Sequence, residues 1–144
     1  MIVYKVSKNA RILFVGINPH PGSYRRGVPF SNNKMFWYLL NRAGLLDEVE
    51  SDLKSDKSLK HIYDKKFVRK YALNFVNLVD RPTRDVTELK KGEEQAGVER
   101  ALETIRIRKP SNGVHLARDF FILLVCPSFS STGVAASFLS SLFI

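Results

Sequence analysis

The chain has 144 residues, about one domain's worth, so it is read as a single domain over 1–144. Apolar residues make up 44% and aromatic residues 11%, enough for a core, which excludes wholesale disorder. Twenty-three Lys and Arg against 14 Asp and Glu leave a charge of +9, which points to a polyanionic partner, nucleic acid before an anionic membrane surface.

The N-terminal Met1-Ile-Val-Tyr-Lys-Val-Ser-Lys lacks the apolar run of a signal peptide. Arg11 to Ile17 is a short, nearly continuous apolar run, the pattern of a central strand covered on both faces. Asn18 to Gly27 follows, rich in proline and glycine, and is read as a loop. Asn32 or Asn33 is then placed to cap a helix running to about Ala43, with Phe36, Trp37, Leu39 and Leu40 apolar and Gly44 at its stop. Residues 46–72 are dense in charge and partly helical, with Ile62, Tyr63, Phe67 and Tyr71 as the inward stripe. Ala72 to Val79 suits a second strand, Asp80 to Thr83 a turn, and Glu93 to about Arg108 a helix ending before Pro110.

Phe120 to Ile144 carries no charge, yet Cys126-Pro-Ser-Phe-Ser-Ser-Thr-Gly133 breaks it into pieces too short for the ~20 apolar residues of a spanning helix. The stretch is therefore assigned to a third strand, Phe120 to Val125, and a closing helix, Val134 to Ile144, with no membrane association. Strands alternating with helices define an α/β class with a short, mostly parallel sheet. One cysteine, Cys126, excludes a disulfide framework, a cysteine-based zinc finger and a four-cysteine iron–sulfur cluster. With only His20, His61 and His115 besides, no metal and no cofactor are expected, and the compartment is a reducing one.

Ligands of open α/β sheets bind beyond the carboxyl ends of the strands. Three loops emerge there: Asn18–Phe30, Asn77–Thr83 and Pro127–Gly133. The first carries a carboxamide, two cations and an aromatic ring, and the third is a Ser/Thr/Gly turn suited to phosphate. Together they suit a planar base attached to a phosphodiester, although a serine-rich helix start is also an ordinary cap.

Gly16-Ile17-Asn18-Pro19, then Gly27-Val-Pro-Phe30 and Phe36-Trp37, resemble the first active-site motif of the mismatch-specific uracil-DNA glycosylase and thymine-DNA glycosylase family. Leu78-Val79-Asp80-Arg81-Pro82-Thr83, with Glu88-Leu89 and Glu94, resembles its second block, and Val125-Cys126-Pro127-Ser128 the approach to its third. The resemblance implies a three-layer α/β/α fold that flips a base from DNA containing uracil or a mismatch. It would cut the N-glycosidic bond without metal or cofactor, as a monomer, in the cytoplasm at the nucleoid or in the nucleus.

In the family's pattern Asn18 positions the attacking water, and Ile17, Phe30 and Asn77 contact the base. Each has a structural alternative: an Asx-turn for Asn18, a core position for Phe30, a satisfied strand end for Asn77. Ser23, Arg25, Arg26, Ser128 and Ser130 are the expected phosphate contacts, with a solvated basic loop as the alternative for the first three. Asp80 is expected to pair with Arg81 and shape the turn. The chain departs from the family at His20, where glycine is usual, and after Ser128, where no arginine wedge follows. Phe129 stands as candidate wedge, or packs beneath the closing helix beside Phe138. Between Pro110 and Phe120 the chain is short, which leaves room for a sheet lacking one strand. A catalytically weak nucleic-acid-binding relative is the alternative reading.

Overall fold

The computed structural model describes residues 1–8 and 10–108, with the backbone of two further strands at 116–117 and 122–124. Strands β1 (Ile12–Gly16) and β2 (Leu73–Asn77) pair in parallel, with Gly16 opposite Asn77. Every residue of both is buried, as strands covered on two faces require, although β2 interrupts its apolar residues with Asn74 and Asn77. Strand β4 (Ile122–Leu124) joins the other edge of β1 antiparallel, and β3 (Leu116–Ala117) pairs antiparallel with β4, giving the order β2-β1-β4-β3. The α/β class therefore holds, with two corrections to the expected sheet. The third strand runs against β1, because it is the antiparallel partner of β3, which comes just before it in the chain and runs in the direction of β1. β3 is a strand the sequence reading left out.

Side chains alternate across the sheet. Ile12, Phe14, Leu73 and Phe75 face a core shared with Phe36, Trp37, Leu59, Ile62, Tyr63 and Phe67. Leu13, Val15 and Val76 face the opposite core with Val98 and Ala101. Helices thus cover both faces, α2 (Met35–Arg42), α3 (Glu50–Lys54) and α4 (Asp56–His61) on one side and α5 (Gln95–Arg108) on the other. A π-helical turn, Ile62–Lys66, follows α4 and carries the expected inward stripe into the core. The N-cap of α2 is Lys34, which makes no side-chain cap bond, so neither Asn32 nor Asn33 is the expected cap; Asn33, one residue earlier, accepts from Met35 N through Oδ1 at 3.1 Å.

The segment read as a loop contains a helix, α1 (Pro21–Arg26). Proline is disruptive inside a helix but suits the first turn, where its missing N–H has no partner to lose. His20 caps that turn and Gly27 ends it at φ 66°, in the left-handed region. Two residues taken as breakers are thus the helix's two punctuation marks.

Candidate active site

The two parallel strands bring their carboxyl ends together, and the pairing continues past them. Leu78 N donates to Gly16 O at 2.9 Å, Val79 N to Ile17 O at 2.7 Å and Thr83 N to Pro19 O at 3.2 Å. These bonds hold the first and second sequence blocks side by side. A cleft of about 190 Å³ opens there, its wall including Asn18, His20, Phe30, Phe75 and Asn77. Small-molecule pockets usually span ~300–1,000 Å³, so this one suits a single ring better than a dinucleotide.

Asn18 is held by its side chain. Its Nδ2 donates to Thr83 Oγ1 at 2.5 Å, and the Thr83 hydroxyl donates in turn to Asp85 O at 2.7 Å. With its own hydrogen committed, Thr83 Oγ1 acts toward Asn18 only as acceptor, which fixes the amide nitrogen there and turns Oδ1 away. Asn18 lines the cleft, and its Oδ1 makes no hydrogen bond among the described residues. Sequence reasoning missed Thr83, although it closes the second block; its threonine signal was indistinguishable from that of a turn residue.

Two asparagines of β2 divide between structure and site. Asn74, on the far face, accepts from Ser7 N at 2.9 Å and Ser7 Oγ at 3.1 Å and donates to Ser7 O at 2.9 Å, so its amide is spent on the fold. Asn77 lies on the cleft face, and its side-chain amide makes no hydrogen bond among the described residues. Its Oδ1 sits over Gly16, where any Cβ would overlap it while making only ordinary contact with Phe75 at 3.4 Å and Phe30 at 3.5 Å. Gly16 therefore makes room for the amide that borders the cleft.

Phe30 holds a core position and also borders the cleft. Its ring packs on Phe36 and Phe75, with centroids 4.5 and 5.6 Å apart, and also forms cleft wall. Its φ of 55° is a left-handed conformation that costs a non-glycine residue on the order of 1–3 kcal/mol. Neighbouring contacts hold it: Trp37 Nε1 donates to Pro29 O at 2.9 Å and Ser31 Oγ to Val28 O at 3.0 Å.

Other expected contacts are redistributed. Ile17 does not line the cleft; its backbone carbonyl is taken by Val79. Ser23 is buried, its Oγ accepting from Asn32 N at 2.9 Å, so it braces the cleft wall instead of meeting a passing phosphate. Arg26 pairs with Asp56 at 2.8 Å, whereas Arg25 is exposed and makes no ion pair among the described residues. Asp80 pairs with Arg100 and Tyr4, not Arg81, which instead grips Glu93 with two 2.8 Å bonds. Burial first, and the Asp80 carboxylate second, push the Tyr4 phenol well above its ordinary value. Arg100 also donates to Asn77 O at 2.7 Å, so α5 fixes the backbone beneath the Asn77 amide. Ser128, Phe129 and Ser130 lie outside the described residues.

The pattern of paired strand ends, carboxamide and stacked ring coincides with a family assignment. The model of the uracil DNA glycosylase superfamily matches residues 3–124. The chain belongs to that superfamily. Its members are DNA glycosylases, hydrolases of N-glycosyl bonds, and the match spans both β1 and β2 with the loops that carry Asn18, Phe30, Asn77 and Thr83. No described helix is long and apolar enough to cross a membrane. Among the described residues no group of three His, Cys, Asp or Glu is arranged to hold a metal ion.

Proposed function

We propose that this chain is a monofunctional glycosylase of the mismatch-specific uracil and thymine-DNA glycosylase type, acting on uracil opposite guanine. The extruded uracil stacks on Phe30, and the Asn77 amide reads its edge. Asn18 Oδ1 accepts a hydrogen bond from the water that attacks C1′ as the sugar becomes oxocarbenium-like. A neutral amide activates water weakly, which suits a leaving group whose anion is already stable, as uracil's is. The observation that carries this reading is the Asn18 carboxamide in the cleft wall, tied by its nitrogen to Thr83 with its oxygen making no hydrogen bond among the described residues. Extruding a base costs a few kcal/mol in unstacking and unpairing, least at a mispair, so U:G is the favoured duplex over U:A.

Duplexes carrying U:G, U:A, T:G or hypoxanthine, scored for abasic-site formation, test the reading. Release from U:G is expected to be fastest. Asn18→Ala is expected to slow single-turnover release at least about tenfold at nearly unchanged DNA affinity, since the group acts on the transition state. Salt-sensitive DNA binding without base release would make the chain a binding relative instead.

A further inference from the structure

We propose that Arg26 and Lys34 form a clamp for one DNA phosphate beside the cleft, and that the Asp56 carboxylate fills this clamp in the free protein. Binding exchanges one anion for the other. Asp56 therefore holds DNA affinity down while keeping the two cations set for a phosphodiester. The inference goes beyond the proposed chemistry, since it needs only that the chain binds DNA and not that it releases uracil.

Three observations carry it. Asp56 Oδ2 accepts from Arg26 Nε at 2.8 Å and Oδ1 pairs with Lys34 Nζ at 2.7 Å, so one carboxylate bridges two cations. Cations set on the two oxygens of one anion suit two oxygens of a phosphate as well. Donors remain for it: Lys34 Nζ makes one further bond, to Lys54 O, and the Arg26 Nη groups donate none among the described residues. The clamp also adjoins the cleft. Arg26 Nη1 and Asn32 Oδ1 lie together over the bare face of Gly22, Lys34 directly follows Asn33, and both asparagines line the cleft. Finally, the carboxylate is replaceable. Its side chain is 46% exposed, where an ion pair contributes little, whereas a duplex phosphate gains from counterion release. Asp56 is also dispensable to its helix, because the Ser55 cap holds the start of α4 through Ser58 N at 3.3 Å.

Ion pairs that only stitched α1 and α2 to α4 would, when broken, lower the melting temperature and leave DNA affinity level or weaker. Equilibrium binding to a uracil-free duplex across a salt series, with melting measured beside it, separates the two roles. Asp56→Asn, with Asp56→Ala as a second variant, is expected to tighten binding about three- to tenfold and to steepen the salt slope by up to about 0.9, one phosphate's worth. Losing any carboxylate raises the net charge, so Glu103→Gln, exposed on α5 across the sheet, measures that general gain, expected to be under about twofold. Adding Arg26→Ala or Lys34→Ala to Asp56→Asn is expected to return affinity to the unsubstituted level or below. No gain in the folded Asp56 variants, a gain matched by Glu103→Gln, or one that survives loss of either cation would overturn the clamp. Base release from U:G is scored on the same proteins: tighter binding in Asp56→Asn with no release by any form would keep the clamp and overturn the glycosylase reading alone.

Discussion

Thr83→Val tests the hydrogen-bond relay behind Asn18 with almost no change in volume. The valine retains a methyl in place of the hydroxyl and deletes two bonds, from Asn18 Nδ2 and to Asp85 O. Each intramolecular bond contributes about 1 kcal/mol net. Freed of Thr83, the Asn18 side chain has three staggered χ1 wells and two amide orientations, roughly six arrangements where one is productive. Holding one of six is worth about 1 kcal/mol, the same size as the lost bond. Either route gives about a five- to tenfold fall in the chemical step, since a tenfold change corresponds to about 1.4 kcal/mol. DNA affinity is expected to stay level, and melting to drop by a few degrees for a loss of ~1–2 kcal/mol. Thr83→Ser keeps the oxygen and is expected to restore most of the rate. The assay is single-turnover base release under saturating enzyme, with melting measured beside it. Wild-type speed in Thr83→Val, or a serine variant as slow as the valine, would refute the relay.

The two loop arginines separate by salt dependence: log affinity for duplex falls with log salt at about −0.9 per phosphate neutralised. Arg25→Ala is expected to flatten that slope by about one contact, whereas Arg26→Ala, whose guanidinium is shared with Asp56, flattens it less; equal effects would contradict the division. Acid stability tests the Arg81–Glu93 clamp, where the guanidinium hydrogen bonds and the Lys90 backbone N–H hold the Glu93 carboxyl at about 2, against an ordinary 4.5. A depressed carboxylate stabilises fully above its unfolded value and loses that stabilisation as pH falls through the folded one. Melting temperature is therefore expected to fall between about pH 5 and pH 2, and Glu93→Gln to lower it at neutral pH while flattening that acid limb. An unchanged pH profile in the glutamine variant would remove the clamp from the account.

Local chemistry was enough for the elements whose signal is carried by neighbours in the chain. The nearly continuous apolar run of β1 marked a strand buried on both faces, and Ile62, Tyr63, Phe67 and Tyr71 all reached the core. The helix 95–108 likewise followed from its periodicity. Asn18 and Phe30 stood out because a carboxamide and an aromatic follow a strand end within a family-like motif. The α1 segment failed locally, since Pro21 and Gly27 read as breakers unless their positions relative to the cap are known. Partner choice among charges also lay beyond the sequence: Asp80 passed over its neighbour Arg81 for Arg100, twenty residues on, because α5 crosses beneath the end of β2. The same holds for Asn74 and Asn77, alike in type and three residues apart, whose opposite fates come from strand alternation. One faces Ser7 and is consumed by the fold, while the other faces the cleft. The tie between Asn18 and Thr83, 65 residues apart, exists only because parallel pairing carries both loops off the same edge of the sheet. Residue type and motif thus determine which groups are available for chemistry, and strand register decides which of them meet.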